Sequence, residues 1–132
     1  MTAYPLTTLS SCLALFVYIA VFIVAGKART TYGVAAPSVS GNLEFEKRYR
    51  VQMNTLEQLV LFLPALWLAL PVFGDRNTAA IGLIWSVGRV LYAVAYVRNP
   101  KTRSLGFTLT LLPSLVLLVA ATKVALQAVF AA

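Results

Sequence analysis

The chain has 132 residues, 60% of them hydrophobic and 11% charged, with a mean hydropathy of +0.82. Soluble domains carry charge on about 25% of their residues, and a chain this short has too much surface for its volume to hide so many apolar side chains in water. A compact soluble enzyme is thereby excluded, as is intrinsic disorder, which requires low hydrophobicity.

The 21 residues from Leu6 to Gly26 carry no charge, enough at about 1.5 Å per residue to cross a hydrocarbon layer of about 30 Å. No basic residue precedes them, so they read as an uncleaved first span and not as a signal peptide. Thr30 to Asn42, with Gly33, Pro37 and Gly41, reads as an irregular loop long enough to cover something. The second apolar run, Leu59 to Gly74, has only 16 residues. It must start earlier, which draws Arg50, Gln52, Asn54 and Glu57 onto the same helix. Pro64 and Pro71 are expected to bend it, with neighbouring helices satisfying the freed carbonyls. Gly74 to Asn77 forms a polar turn, Thr78 to Val97 a third span interrupted by Arg89, and Asn99-Pro100 punctuates the chain before a fourth. The expectation is one domain over residues 1–132, an all-α integral membrane four-helix bundle with helices near 6–26, 44–73, 78–97 and 104–130. Cations cluster around the first and third loops, which places those loops in the cytoplasm.

Eleven Lys and Arg against four Asp and Glu give a formal charge of +7. These cations fall between apolar runs instead of forming a basic stripe, so no nucleic-acid partner is expected. With no His and one Cys, a nitrogen or sulfur metal site is not expected. Cys12, placed among apolar neighbours, reads as a buried and unreactive thiol.

Polar groups within a bilayer are costly and mark the places where function concentrates. At about 100° per residue, Glu46, Arg50, Asn54 and Glu57 share one face of the second helix, and Arg89, Tyr92 and Tyr96 share one face of the third. Two such stripes can build a polar pocket for a small zwitterion with more negative than positive charge. They can equally be structural, with Glu57 pairing to Arg89 and the tyrosines forming an interfacial belt. Gly82 and Ser86, four apart, fit a small-residue helix contact.

The run Glu46, Arg50, Gln52, Asn54, Glu57 resembles the second-helix pattern of the MAPEG family, the membrane-associated proteins of eicosanoid and glutathione metabolism. Gly88-Arg89-x-x-Tyr92-x-x-x-Tyr96-x-Arg98 followed by Arg103 resembles that family's third helix and following loop. The resemblance implies a homotrimer with a glutathione site between subunits. It implies contacts to glutathione from Arg50, Gln52, Asn54 and Glu57, from Arg29 in the first loop, and from Tyr92 and Tyr96, with Arg103 as the catalytic residue stabilising the glutathione thiolate. Glutathione would be the co-substrate and a lipophilic electrophile the partner, giving a glutathione transferase with scope for peroxidase activity. A non-catalytic lipid-binding or scaffold protein of the same fold is the alternative. Gln58 and Thr30 stand where several eicosanoid-handling members carry a tyrosine and an arginine, so a leukotriene-type substrate is not expected. The short chain is similar to bacterial members, which implies a bacterial inner membrane and membrane lipid as partner.

Overall fold

The computed structural model describes residues 3–131. It contains α1 (Pro5–Thr31), α2 (Leu43–Arg98), a 3-10 turn (Pro100–Thr102) and α3 (Ser104–Ala131), and no strand among the described residues. All three long helices are apolar and long enough to cross a membrane.

The second and third helices expected from the sequence follow one another as the two arms of α2, 56 residues with a break at Gly74 (φ 73, ψ 167), inside the expected polar turn. A straight helix of that length would run about 84 Å. Instead it doubles back at Gly74, whose positive φ is accessible without strain only to glycine. The first arm (residues 43–73) and second arm (residues 75–98) lie against each other, and the Phe62 and Trp85 rings stack with centroids 4.3 Å apart. Both prolines stay inside the first arm. Helices in lipid gain little from apolar burial itself, so close packing must join them. Ala14, Phe62, Leu66, Ala69, Trp85 and Leu117 form a core shared by all three helices.

α1 continues past Gly26 to Thr31, so Arg29 stands on its last turn and not in the loop. Arg29 Nη1 donates to the carbonyls of Ser38 at 2.6 Å and Val34 at 3.3 Å, and its guanidinium lies over the Phe45 ring. It is the post around which the 32–42 loop winds. Asn42 then caps α2, its side chain accepting from the N–H groups of Glu44 and Phe45.

The opposite end is held by a cap from a distant residue. Tyr4, the N-cap of α1, supplies no side-chain bond. Asp75, just after the break, accepts from the N–H groups of Thr7 at 2.8 Å and Leu6 at 3.1 Å, and its carbonyl accepts from the Thr7 hydroxyl. Pro5 has no N–H, so one carboxylate satisfies two of the three orphan donors of α1 and meets the positive end of its dipole.

Small residues set the helix spacing. A Cβ at Gly82 would run into the Ser10 hydroxyl of α1, so the expected small-residue contact joins α1 to the second arm. A Cβ at Gly106 would collide with the Tyr92 backbone, which lets α3 close directly on the second arm. Trp67, half-exposed, donates to the Ser11 hydroxyl at 3.1 Å. Cys12 corrects an expectation: it lies on the exposed side of α1.

Candidate functional site

Between the two arms of α2 and the start of α3 lies a cavity of about 430 Å³. The second arm contributes Tyr92 and Tyr96, one turn apart, with ring centroids 5.5 Å from each other. The first arm contributes Arg50 and Asn54, also one turn apart. Arg103 enters from the link between the 3-10 turn and α3, its guanidinium 5.7 Å from the Tyr96 ring centroid. That link is fixed locally: Asn99 Oδ1 accepts from the Lys101 N–H, and the Thr102 hydroxyl donates to the Asn99 carbonyl at 2.8 Å. Ser104, Phe107 and Thr108 complete the wall on α3.

Glu57 adjoins this cavity without lining it. Its Oε2 accepts from Asn54 Nδ2 at 3.2 Å, and its Oε1 lies 3.9 Å from Arg50 Nη1. Both partners of that ion pair are more than half exposed, at 57% and 52%, so it contributes little to stability and leaves Arg50 free to meet another anion. The structural alternative of a Glu57–Arg89 pair is not what forms. Arg89 donates from Nη2 to Asn54 Oδ1 at 3.1 Å, and its guanidinium lies 4.1 Å from the Tyr92 ring centroid. Arg89 is fully buried at 0% exposure, and its Nε and Nη1 have no hydrogen-bond partner.

This relay has a directional consequence. Facing its amide oxygen to the Arg89 guanidinium turns the Asn54 NH2 group the other way, toward Glu57. Asn54 therefore presents a donor to Glu57 and the cavity, and the cavity's cations Arg50 and Arg103 reinforce a preference for acceptor or anionic groups. The structure thus assembles Arg50, Asn54, Tyr92, Tyr96 and Arg103, with Glu57 at the margin. It does not bring Arg29 or Gln52 to the same cavity. Arg29 is committed to the 32–42 loop, and Gln52 projects about 200° around the first arm from Arg50. Arg89 was visible as an intramembrane charge but was not among the expected contacts; its role behind Asn54 depends on the register of the two arms.

The MAPEG family profile matches residues 7–123. The chain belongs to the MAPEG family. Among its relatives, an uncharacterized Synechocystis protein is 46% identical over 114 residues, 86% of this chain and 82% of that protein. Human microsomal glutathione S-transferase 2 is 40% identical over 86 residues, 65% of this chain and 58% of the human protein. Rat leukotriene C4 synthase is 38% identical over 76 residues, 58% of this chain and 51% of the rat protein. The matched segments therefore span only about half to three fifths of these two enzymes.

Proposed function

We propose that this MAPEG protein is a membrane-bound glutathione transferase that joins the glutathione thiolate to lipophilic electrophiles arriving through the bilayer. The observation that carries this reading is the cavity: in a chain 60% hydrophobic, Arg50, Asn54, Tyr92, Tyr96 and Arg103 converge on one space. Two relatives whose names denote glutathione conjugation or leukotriene C4 synthesis support it. Glutathione carries two carboxylates and an ammonium group. Arg50 and the Asn54 amide suit a carboxylate, Glu57 suits the ammonium, and Arg103 is the group assigned to the sulfur.

A thiol of pKa about 8.5 is mostly protonated at neutral pH, and each unit of depression requires about 1.4 kcal/mol of preferential thiolate stabilisation. A hydrogen bond to a charged partner contributes about 1.5–3 kcal/mol, so one guanidinium is enough for one to two units. The thiolate then attacks the electrophilic carbon directly, forming the C–S bond as a leaving group departs with its electron pair or as a double bond or epoxide C–O bond opens to an anion that takes a proton from water, so no protein nucleophile is needed. The same thiolate would serve peroxide reduction.

The two arms of α2 are read as separate spans, giving a four-helix bundle in a bacterial inner membrane with the 32–42 and 99–103 segments cytoplasmic. Assembly as a homotrimer would give Gln52, which lies off the chain's own cavity, a purpose at a site shared with a neighbour. The test is the ultraviolet absorbance of bound thiolate in detergent-solubilised protein. Glutathione should raise it, and Arg103→Ala should abolish the rise and slow conjugation. An unchanged signal and rate in that variant would remove the assigned role. A protein that binds lipid yet gives no glutathione signal at all would be the non-catalytic lipid-binding alternative.

A further inference from the structure

A second cavity, of about 340 Å³, lies on the other side of the second arm, between α1 and the start of the first arm. Its walls are Val21 and Val24 of α1 and Val94 and Val97 of the second arm, while Arg48 and Arg98 border it. Val94 and Arg98 project about 140° and 180° around the arm from Arg89, away from Tyr92 and Tyr96, so the helix itself separates the two cavities. Val24 and Val94 are exposed, which opens the space sideways along the helices.

Charge accounting shows what this cavity lacks. The chain has four acidic side chains, and each is engaged elsewhere. Glu44 pairs with Lys47 and Arg48. Glu46 accepts from the Gly41 N–H at 2.8 Å, Glu57 is held by Asn54 and Arg50, and Asp75 caps α1. Among the described residues none remains for Arg98, which closes α2 at the end of an apolar groove and has no ion pair. A cation at the membrane edge above a hydrocarbon-lined space complements an anionic amphiphile: the phosphate meets the arginine and an acyl chain follows the valines.

We propose that this cavity is a binding site for an anionic phospholipid of the adjacent leaflet. The headgroup phosphate sits against Arg98, with Arg48 alongside, and a chain lies along Val21, Val24, Val94 and Val97. A basic residue near an anionic lipid surface contributes about 1 kcal/mol, which is about fivefold in affinity. Native mass spectrometry of the full chain in neutral detergent, titrated with chain-matched phosphatidylglycerol and phosphatidylcholine, reads the preference directly.

The protein should favour phosphatidylglycerol by about fivefold or more, less so as salt is raised. Arg98→Gln should lower that preference by about fivefold without altering glutathione binding. Val94→Trp should reduce the number of bound lipids of both kinds, and millimolar inorganic phosphate should not displace them. Equal binding of the two lipids would overturn the proposal, as would Arg98→Gln and Val94→Trp variants that both bind like the parent. Displacement by phosphate would overturn it in favour of a free-anion site. A Val94→Trp protein that changed subunit number and not lipid count would assign this face to a second copy.

Discussion

The two ends of the hairpin formed by the arms of α2 treat their polar groups in opposite ways. At the break, the Asp75 carboxylate is answered by the N–H groups of Leu6 and Thr7, and the space beside it is walled mainly by the apolar side chains of Leu6, Leu9, Leu13, Ala79, Ala80 and Leu83. At the far end, Arg89 makes one hydrogen bond to Asn54, leaves Nε and Nη1 without partners, and stands behind a cavity lined by two more arginines. A satisfied polar cluster holds helices together. A partly satisfied one beside open space is poised for something that is not part of the chain, because unmet buried donors are costly unless a ligand or neighbour meets them. Both clusters are polar groups within or beside membrane helices; the Asp75 carboxylate is answered by α1, whereas the Arg89 guanidinium keeps unmet donors behind a cavity that gathers further cations.

Perturbing the open cluster should have the largest effect. Arg103→Ala removes a charge-assisted bond to the sulfur, of about 1.5–3 kcal/mol, and should slow conjugation by about 10- to 100-fold with little change in thermal stability. Gly106→Ala attacks the geometry instead. Its methyl would collide with the Tyr92 backbone, so stability measured by thermal unfolding in detergent should fall by about 1–3 kcal/mol, and glutathione affinity should fall with it. Glu57→Gln is a finer cut: it keeps the shape but removes the partner for an ammonium group. Glutathione should bind up to about fivefold more weakly, while an analogue lacking the amine should bind as before.

The closed cluster predicts the opposite pattern. Asp75→Asn should lower the unfolding midpoint slightly and leave glutathione binding untouched. Loss of water around Asp75 pushes its carboxyl up, but the backbone and hydroxyl of Thr7 and the backbone of Leu6 pull harder, holding it below the ordinary 3.8. A depressed carboxyl stabilises the fold above its unfolded value and loses that contribution as pH falls through its folded value. Acid titration below about 3.8 should therefore destabilise the parent more than Asp75→Asn.

Much of this was legible beforehand, for a physical reason. Apolar runs long enough to cross a bilayer are a compositional signal, and Arg50, Asn54 and Glu57 stand out against them at helical spacing. What stayed hidden depended on distance in sequence or on backbone acceptors. The register of the two arms pairs Arg89 with Asn54 across 35 positions, which hydropathy does not encode. Asp75 caps a helix that begins about 70 residues earlier. Arg29 is held by the carbonyls of Val34 and Ser38, groups every residue possesses, so no residue pattern could reveal its commitment to the loop. The Gly74–Asn77 turn, by contrast, announces itself as a polar interruption of an apolar run, and the chain does break at Gly74.

The account rests on the open cavity receiving a tripeptide thiol, and isothermal titration of the solubilised protein with reduced glutathione addresses that most directly. Saturable binding that weakens in Arg50→Ala and persists in Asp75→Asn is the predicted result. Absence of binding heat in the properly assembled protein, or binding indifferent to Arg50, would contradict it.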